Sequence, residues 1–335
     1  MLLSTIDGLV NFIFKFAALI CLAPLWVLGL VTFKQILLSQ VIFTLICKFI
    51  KTGNTFLNKK VYKWYNIHTP NCEDDLTSIL SKKQVFCLVT GGSGGLGEAL
   101  SLELLLKYGK SKNFNLIIVD KVNLKNELIE NHDNVKFIHF DLKEDVLGLI
   151  EQLPIAMKDE NSAYKILINN CGIRHKFAEF TEIWSEKELQ SILKVNVIAG
   201  ANLIEHLNPD YLVTVSSILS LVTPKNASLY SASKAAASAI HNAFVQIGSK
   251  KGLLILPGQL KDTSMFANIV NHRQFLAPLV DIQKLSKKIV LSIENLECST
   301  IIDPFYGHFI ALIDKLPYWL NAILRDYSEI DKASD

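Results

Sequence analysis

The sequence has few of the features that mark metalloproteins, disulfide scaffolds or nucleic-acid binders. Its six cysteines are scattered over 335 residues without a C-x-x-C pair or a Cys/His ligand spacing, so we expect free thiols and no metal. The 34 basic and 32 acidic residues leave a formal charge of only +2, which gives no support to a nucleic-acid partner. No internal repeat or low-complexity tract is present. Apolar residues, by contrast, make up half of the chain, a fraction that excludes a disordered protein.

Much of the apolar excess lies in the first fifty residues. Residues 16–33 carry no charge between Lys15 and Lys34, and a helix of this length would reach about 27 Å, enough for the hydrocarbon core of a bilayer. Residues 35–47 form a second uncharged stretch, which is short for a separate span and suits an interfacial segment or the return arm of a hairpin. A cleaved signal peptide is the alternative, but no small-residue cleavage pattern follows. We therefore predict a hydrophobic membrane anchor over residues 1–50.

Charges around the leader predict its orientation. Lys15 is the only base before Lys34, whereas five lysines follow the leader before the next acid, Glu73. The positive-inside bias therefore places the rest of the chain in the cytosol. Pro24 and Gly29 would kink the first apolar segment, which suits a re-entrant hairpin as well as a full crossing.

From Lys83 onward, apolar runs of strand length alternate with helical patterns. Near-continuous apolar strands separated by helices indicate a parallel sheet that is covered on both faces. We therefore predict an α/β fold with a Rossmann-type doubly wound parallel sheet. The expected strands span residues 84–90, 115–120, 135–140, 164–169, 211–216, 253–257 and 299–303, and the most evident helices span residues 95–108, 186–207 and 229–247.

A glycine-rich turn, TGGSGGLG at residues 90–97, follows the first strand and opens a helix. In such a turn Gly91 lets the chain reverse tightly, Gly95 lets a diphosphate approach the backbone, and Gly97 lets the helix pack close to the sheet. The N-terminus of the helix would then offer its N–H groups to the anion. A purely structural turn is the alternative, since a glycine pattern alone is weak evidence.

Asp120 closes the second strand, 23 residues after Gly97. A carboxylate at this position accepts hydrogen bonds from an adenosine ribose and repels a 2′-phosphate, so the sequence favours NAD(H) over NADP(H). The neighbouring Lys121 weakens that preference, and NADP(H) remains an option. The alternative for Asp120 is a solvated acid at a strand end.

Tyr230 and Lys234 stand four residues apart at the start of a predicted helix, so their side chains share one face. A phenol with a pKa of about 10 is a poor acid–base group at neutral pH, and a neighbouring cation is expected to lower that pKa. Ser217 lies 13 residues upstream, at the carboxyl end of the fifth strand, where it can donate a hydrogen bond to a carbonyl oxygen. Taken singly, the three are also consistent with an interfacial aromatic, a solvated charge and a strand-end cap.

Together these motifs resemble the short-chain dehydrogenase/reductase superfamily over about residues 84–303. The family's TG-x-x-x-G-x-G and Y-x-x-x-K are present, and its N-N-A-G appears as NNCG, with Cys171 in place of alanine. The family's P-G-x-x-x-T motif is one residue longer here, PGQLKDT, which leaves Thr263 or Ser264 as the contact to the nicotinamide carboxamide.

The resemblance implies roles for the matched residues. Tyr230 would be the general acid/base, Lys234 would hold the nicotinamide ribose, and Ser217 would orient the substrate oxygen. Asn196 would hold a water molecule in a proton relay and completes the implied tetrad. The implied cofactor contacts are Gly91, Ser93, Gly95, Leu96, Gly97, Asp120, Asp141, Asn170, Tyr230, Lys234 and Thr263.

The N-terminal anchor and the C-terminal part of the chain resemble the retinol and hydroxysteroid dehydrogenase group, which is associated with the endoplasmic reticulum and lipid droplets. Residues 305–324 are apolar and aromatic, and would line a lipid tunnel, lie on the membrane or pack on the sheet. The implied activity is a membrane-associated, NAD(P)(H)-dependent interconversion of an alcohol and a carbonyl on a lipophilic substrate. The alternatives are an NADPH-dependent ketoreductase of lipid synthesis and a non-catalytic membrane or lipid-droplet protein.

The expected organisation has four parts. A membrane anchor (1–50) and a basic linker (51–82) precede the catalytic domain (83–303), and a helical extension (304–335) follows it. The resemblance also implies a homodimer, because members of the superfamily usually pair through their long helices.

Overall fold

The computed structural model divides the chain into two compact units, Met1–Cys72 and Glu73–Asp335. It describes residues 17–27, 29, 32–45, 75–159, 162–177, 185–246, 250–263, 265, 278–304, 306–313 and 315–332.

In the described residues of the first unit, two helices are separated by a turn. Helix α1 (Ala17–Val27) ends before Gly29, whose φ of +73° is left-handed. Thr32 then precedes helix α2 (residues 33–45), and its hydroxyl accepts a hydrogen bond from the N–H of Gln35 at 3.3 Å. The uncharged eighteen-residue run is therefore not one continuous helix. Within the part of the chain that is described, none of the helices combines the length and the apolarity that a membrane span requires.

The second unit is built on one parallel sheet of seven strands in the order β3-β2-β1-β4-β5-β6-β7. The predicted strands are confirmed, with ends that differ by no more than two residues from those expected. The strands are β1 (Val85–Thr90), β2 (Phe114–Asp120), β3 (Val135–His139), β4 (Tyr164–Asn169), β5 (Tyr211–Val215), β6 (Lys251–Pro257) and β7 (Ser299–Asp303).

Helices connect the strands and cover both faces of the sheet. A π-helical turn, Lys194–Ile198, joins Glu186–Leu193 and Ala199–Leu207 into the long helix that the sequence predicts. The helices are α3 (Leu76–Lys82), α4 (Gly95–Tyr108), α5 (Glu127–Glu130), α6 (Val146–Gln152), α7 (Ile155–Lys158), α8 (Glu186–Leu193), α9 (Ala199–Leu207), α10 (Ser228–Val245), α11 (Ile282–Glu294), α12 (Gly307–Ile313) and α13 (Tyr318–Ser328).

Alternate side chains of the central strand enter two different cores. Val85, Cys87 and Val89 pack with apolar residues of α3, α4 and α11, whereas Phe86 and Leu88 pack with those of α6, α7 and α9. Side chains point to opposite faces along a strand, so this alternation requires a helical layer on each side of the sheet. The predicted doubly wound α/β fold is confirmed.

The second unit includes residues that precede the first strand. Helix α3 lies in the stretch expected to be linker, yet Leu76, Ile79 and Leu80 are buried in the core beneath α4 and α11. Asp75 caps the helix by accepting a hydrogen bond from the N–H of Ser78 at 2.7 Å. This seven-residue helix, with three core side chains, thus packs with the folded unit although it lies within the stretch expected to be linker. The remainder of the expected linker, up to residue 74, lies outside the described residues.

Candidate active site

A cleft of about 1280 Å³ lies at the carboxyl edge of the sheet. Its walls come from the glycine-rich turn after β1, the ends of β2, β4, β5 and β6, the first turns of α10, and the C-terminal helices. The strand order reverses between β1 and β4, and open α/β sheets form ligand crevices at such a point. Among the described residues, no three His, Cys, Asp or Glu side chains are grouped to hold a metal ion.

The glycine-rich turn has the backbone that its sequence requires. Gly91 and Gly95 have φ angles of +67° and +55°, in the left-handed region that glycine adopts without strain. A Cβ atom at Gly97 would lie 2.1 Å from the carbonyl oxygen of Gly91, so only glycine fits where α4 meets the turn. At Gly95, the nearest atom to a Cβ would be the methyl carbon of Thr263 at 3.6 Å. The backbone of the turn is therefore accessible at Gly95 and tightly packed at Gly97.

Asp120 is fixed at the end of β2 by two backbone donors. Its carboxylate accepts hydrogen bonds from the N–H groups of Ser93 at 3.0 Å and Val122 at 3.1 Å. This geometry disfavours the alternative of a merely solvated acid. The hydroxyl oxygen of Ser93 is buried at the same place and has no hydrogen-bond partner among the residues that the structure describes. A buried polar atom of this kind calls for a partner, which a polar ligand in the cleft would supply.

Asn170 supports the turn from β4. Its side-chain amide donates to the carbonyl oxygens of Thr90 at 3.0 Å and Gly91 at 3.1 Å. The Thr90 hydroxyl oxygen in turn accepts from the backbone N–H groups of Asn170 and Cys171. Burial raises the pKa of the Cys171 thiol to about 11, so this side chain stays neutral and acts as a small apolar group in the position of alanine.

The remaining predicted contacts lie along the same cleft. Leu96 is buried in the first turn of α4, and Asp141 follows β3, where its carboxylate accepts from the N–H of Lys143 at 3.0 Å. The Thr263 hydroxyl donates to the carbonyl oxygen of Leu260 at 3.3 Å, whereas Ser264 lies outside the described residues. The accessible N-terminus of α4, the buried Ser93 hydroxyl and the fixed Asp120 carboxylate together fit the diphosphate and ribose of a dinucleotide.

Three side chains of the implied tetrad meet at the inner end of the cleft. Ser217 follows β5, and its hydroxyl group is hydrogen-bonded to that of Tyr230, which lies in the first turn of α10. Lys234, one turn further on, places its Nζ atom 5.9 Å from the centre of the Tyr230 ring and donates to the carbonyl oxygen of Val215 at 3.0 Å. All three residues are nearly inaccessible to solvent.

Burial, and not the neighbouring lysine, dominates the ionisation of Tyr230. Burial raises its pKa to about 12, and the hydrogen bond from Ser217 and the charge of Arg174 oppose that rise. The sequence predicts that Lys234 lowers this pKa, and that expectation is wrong for this structure. Burial also lowers the pKa of Lys234 to about 8, so this side chain is mostly neutral at the pH at which the buried phenol ionises, and its Nζ atom donates to the carbonyl oxygen of Val215.

Asn196 occupies the π-helical turn between α8 and α9. Its amide oxygen accepts from the N–H of Ile173 at 2.8 Å, and its amide nitrogen donates to the Ile173 carbonyl at 2.8 Å and to the Ser233 hydroxyl at 2.9 Å. The side chain thus joins α10 to the loop after β4. A water-holding role would fall to the backbone of this residue, because its side chain is engaged with protein groups.

Arg174 and Phe177 lie beside Tyr230 although the sequence motifs do not single them out. The centres of the Phe177 and Tyr230 rings are 6.2 Å apart, and the guanidinium carbon of Arg174 lies 5.0 Å from the centre of the Phe177 ring. Both residues follow the NNCG motif in the loop after β4. No periodicity or spacing marks them, because their position depends on a contact with a helix fifty residues further along the chain.

Comparison with known proteins agrees with this arrangement. The sequence profile of the family described as short chain dehydrogenase matches residues 86–274, more than half of the chain. An uncharacterized oxidoreductase of Saccharomyces cerevisiae, TDA5, is 35% identical over 269 residues, which cover 76% of this chain and 79% of that protein. The chain belongs to the short-chain dehydrogenase family. It is an NAD(P)-dependent short-chain dehydrogenase/reductase.

Other proteins resemble parts of this chain. A very-long-chain 3-oxoacyl-CoA reductase of Scheffersomyces stipitis is 29% identical over 143 residues, 41% of this chain and 39% of that protein. A short chain dehydrogenase from Burkholderia cenocepacia in complex with NADP superposes with a TM-score of 0.56 at 20% identity, over 73% of this chain and 97% of that one. A 4-hydroxyisoleucine dehydrogenase mutant complexed with NADH and succinate superposes with a TM-score of 0.55 at 18% identity, over 65% of this chain and 96% of that one. Proteins of this fold thus bind either dinucleotide.

In this short-chain dehydrogenase the C-terminal extension forms one wall of the cleft. Ile310 of α12 is buried against Ile218, which follows β5. The described part of residues 305–324 lines the cleft and also packs on the sheet through Ile310, while Tyr318 and Trp319 are exposed. The apolar side chains that the extension contributes to the lining are Phe309, Ile310, Leu312, Ile313, Leu316, Leu324, Tyr327 and Ile330.

An ion pair within this extension, between Arg325 and Asp331, is hydrogen-bonded to the loop before α10. Arg325 of α13 donates from Nε and Nη2 to the two carboxylate oxygens of Asp331, at 2.9 and 2.6 Å, and from Nη2 to the carbonyl oxygen of Thr223 at 2.8 Å. The Asp331 carboxylate also accepts from the backbone N–H of Lys225 at 2.8 Å. We call this arrangement of Arg325, Asp331, Thr223 and Lys225 the C-terminal latch.

Proposed function

We propose that this enzyme interconverts a hydroxyl and a carbonyl group on an elongated lipophilic substrate. The observation that carries the proposal is the two-part composition of the cleft. Ser217 and Tyr230 form a hydrogen-bonded polar pair at its inner end, and the C-terminal helices add an apolar wall. Burying an alkyl chain against such a wall contributes about 25 cal/mol per Å² of apolar surface, whereas the polar pair fixes the reacting oxygen.

The side chains of the cleft would supply orientation and proton transfer. Tyr230 would take the proton of the substrate hydroxyl in oxidation and return it in reduction. Ser217 would donate a hydrogen bond to the reacting oxygen as it gains charge. Lys234, whose pKa is lowered to about 8 by burial, would still carry a positive charge at neutral pH and would hold the ribose hydroxyls. When bound, the dinucleotide supplies the acceptor or donor of hydride.

The proposed preference for NAD(H) rests on the fixed position of Asp120. Two backbone N–H groups hold its carboxylate, which would repel a 2′-phosphate without a ready way to move aside. Lys121, Lys125 and Lys143 also line this end of the cleft and would attract a phosphate. Asp120→Asn removes the charge and keeps the shape, so it should weaken NAD binding and shift the kcat/KM ratio towards NADP. Asp133→Asn, which neutralises an exposed acid outside the cleft lining, is the control, and a wild-type enzyme that prefers NADPH would refute the preference.

A second candidate is the reduction of a 3-oxoacyl thioester with NADPH. It is supported by the similarity to the reductase of Scheffersomyces stipitis and by the lysines at the adenosine end of the cleft. The retinol and hydroxysteroid dehydrogenase group, which the sequence pattern suggests, remains a prediction. The two candidates differ in the dinucleotide and in the group attached to the alkyl chain, so one substrate screen separates them.

The membrane anchor is part of the proposal. Apolar side chains of α2 are exposed, among them Leu38 at 60% and Leu45 at 59%, and an amphipathic or apolar helix of this kind suits a membrane surface. Anchoring at the endoplasmic reticulum or a lipid droplet, with the catalytic unit in the cytosol, would raise access to a substrate that dissolves in lipid. Deleting residues 1–50 should release the protein from sedimented membranes. Retention of the shortened chain would instead implicate the exposed aromatic side of α13.

The activity itself is tested by a screen of the detergent-solubilised protein. NAD and NADP are each combined with fatty alcohols, retinoids, steroids, sphingoid bases and 3-oxoacyl thioesters, and the change in absorbance of the nicotinamide is followed. Tyr230→Phe should abolish turnover and leave dinucleotide binding intact. Tyr306→Phe removes a phenol from another part of the cleft lining and is the matched control. Turnover by the Tyr230 variant would refute the assignment of the acid–base group.

A further inference from the structure

We infer that Arg174 is a positioning residue for Tyr230: it clamps Phe177 against the Tyr230 ring and ties together the two loops that border the reacting end of the cleft. This inference rests on the proposed role of Tyr230 as the acid–base group. Arg174 is not part of the tetrad and belongs to none of the motifs that the sequence matches.

Arg174 connects segments that are ninety residues apart. Its Nε atom donates a hydrogen bond to the backbone carbonyl of Met265, in the loop that follows β6. Its Nη1 atom donates to the carbonyl of His175 at 3.0 Å, within its own loop. Charged donors make hydrogen bonds about twice as strong as neutral ones, and the planar guanidinium fixes their directions. The side chain therefore restrains the loops after β4 and β6 relative to each other.

Phe177 transmits this restraint to Tyr230. The guanidinium carbon of Arg174 lies 5.0 Å from the centre of the Phe177 ring, within the range of a cation–π contact. The Phe177 ring is buried, lies 6.2 Å from that of Tyr230 at an interplanar angle of 52°, and forms a small cluster with Tyr230 and Ala227. Both aromatic rings line the cleft, so a shift of Phe177 would change the position of the phenol that faces the substrate.

The start of this loop is also held in place. The Asn196 side chain accepts a hydrogen bond from the N–H of Ile173 and donates one to the Ile173 carbonyl oxygen, and Ile173 is the residue before Arg174. One side of the loop is thus anchored to the π-helical turn, and the other is anchored through Arg174 to Met265. A side chain that completes such a two-point attachment pre-organises the geometry around the phenol.

Charge at this position favours the phenolate form of Tyr230. The polar and charged groups around the phenol are Ser217 after β5, Lys234 on α10 and Arg174 in the loop after β4; Cys171 lies near Lys234, and His175 contacts Phe177. Arg174 acts in the same direction as the hydrogen bond from Ser217, against the desolvation of the phenol. A guanidinium stays charged at every pH at which the enzyme is assayed, so its influence is constant.

Three variants separate the clamp from the charge. Arg174→Met removes both, Arg174→Gln retains a donor for the Met265 carbonyl, and Arg174→Lys retains the charge. Lys176→Met is the matched control, because Lys176 is an exposed cation in the same loop. For each variant, kcat/KM for alcohol oxidation is measured against pH in the dinucleotide-bound enzyme, and dinucleotide affinity is measured separately. The pKa of Tyr230 is also followed directly by ¹³C NMR of ring-labelled tyrosine, with Tyr230→Phe providing the assignment.

We expect Arg174→Met and Arg174→Gln to raise the pKa of Tyr230 and the apparent pKa of kcat/KM by about 0.5–1 unit, less than the 1–3 units of a charge in direct contact. Arg174→Lys should restore most of that shift, and Lys176→Met should leave the pH profile unchanged. Dinucleotide affinity should change less than about threefold in every variant, since Arg174 is not among the residues that line the cleft.

Two results would overturn the inference. One is a Tyr230 pKa and a pH profile that stay unchanged in both Arg174→Met and Arg174→Gln while these proteins remain folded. The other is an equal shift in Lys176→Met, which would mean that any cation in the loop has the same effect. The NMR measurement needs no substrate, so a protein that turns over none of the tested alcohols would refute the proposed function while the effect of Arg174 on the phenol could still be measured.

Discussion

Breaking the C-terminal latch should open the apolar wall of the cleft while leaving the dinucleotide site intact. The perturbation is Arg325→Met, which keeps most of the side-chain length and removes the donors to Asp331 and Thr223. The wall depends on this attachment because α13 exposes much of its surface, as Tyr318 and Trp319 show. The glycine-rich turn and Asp120 belong to other segments of the unit, after β1 and at the end of β2.

The expected magnitude follows from the hydrogen bond that the Arg325 guanidinium donates to the Thr223 carbonyl and from the ion pair that holds this guanidinium in place. The two side chains are 21% and 27% exposed, so the pair is neither fully solvated nor fully buried. A solvated pair contributes about 0.2–1 kcal/mol, and a hydrogen bond to a charged group about 1.5–3 kcal/mol. We therefore expect Arg325→Met to cost about 2 kcal/mol in the attachment of the segment. That is about a 30-fold rise in its opening equilibrium, at about 1.4 kcal/mol for each factor of ten.

Hydrogen exchange of residues 318–332 measures this opening directly. Arg325→Met should exchange about 30-fold faster there, KM for an apolar substrate should rise, and the dinucleotide Kd should stay the same. Lys107→Met is the matched control, because it breaks a comparable ion pair with Glu294 between α4 and α11, at 2.5 Å and with exposures of 36% and 24%. Exchange in residues 318–332 that rises less than threefold, or that rises equally in the control, would refute the reasoning.

Further predictions concern the glycine-rich turn and the response to acid. Gly97→Ala would bring a Cβ to 2.1 Å from the Gly91 carbonyl oxygen, so it should destabilise the fold by about 1–3 kcal/mol and weaken dinucleotide binding in a titration. Gly148→Ala, which lies at an exposed helix position outside the cleft lining and would meet only a ring carbon of Phe140 at 3.6 Å, should do neither. Burial lowers the pKa of His241 to about 4. The unfolded chain, in which an imidazole has a pKa of about 6.5, therefore binds the proton more readily, and stability should fall by about 2 kcal/mol between pH 7.5 and pH 5. Urea unfolding should show this slope and lose it in His241→Gln; an unchanged slope would contradict the assignment. Burial alone would raise the pKa of the Asp331 carboxyl. The hydrogen bonds from Arg325 and Lys225 and the positive charges of these two residues outweigh that effect and hold the pKa below its ordinary value. The latch should therefore hold above about pH 4, where an unfolded Asp is ionised, and hydrogen exchange should detect its loss as pH falls through the lowered value.

Local pattern was enough to predict the scaffold of this protein. A strand buried on both faces needs a nearly continuous apolar run, and a glycine turn needs residues without Cβ atoms at particular positions. Both features can therefore be recognised from consecutive residues of the sequence. The spacing of Tyr230 and Lys234 likewise determines that they share a helix face. The meeting of this pair with Ser217 was predictable because the carboxyl ends of parallel strands lie at one edge of the sheet.

Other features depend on contacts between distant segments. Nothing in the stretch before β1 showed that Leu76 would be buried under α4 and α11, and no motif marked Arg174 or Phe177 as neighbours of Tyr230. The role of Asn170 depends on such contacts as well. The sequence resemblance implies a cofactor contact, whereas in the folded chain the side-chain amide donates hydrogen bonds to the carbonyl oxygens of Thr90 and Gly91.

The amino-acid sequence alone was sufficient for the order of strands and helices along the chain, the dinucleotide turn and the candidate acid–base residue, because each depends on the periodicity or spacing of nearby residues. The folded chain was needed to establish the ionisation of Tyr230, the contacts of Arg174 and the wall that the C-terminal helices add to the cleft. Desolvation, ion pairing and the closure of a cavity depend on which surfaces face each other after folding, and residues that are far apart in the chain carry no local signal of that arrangement.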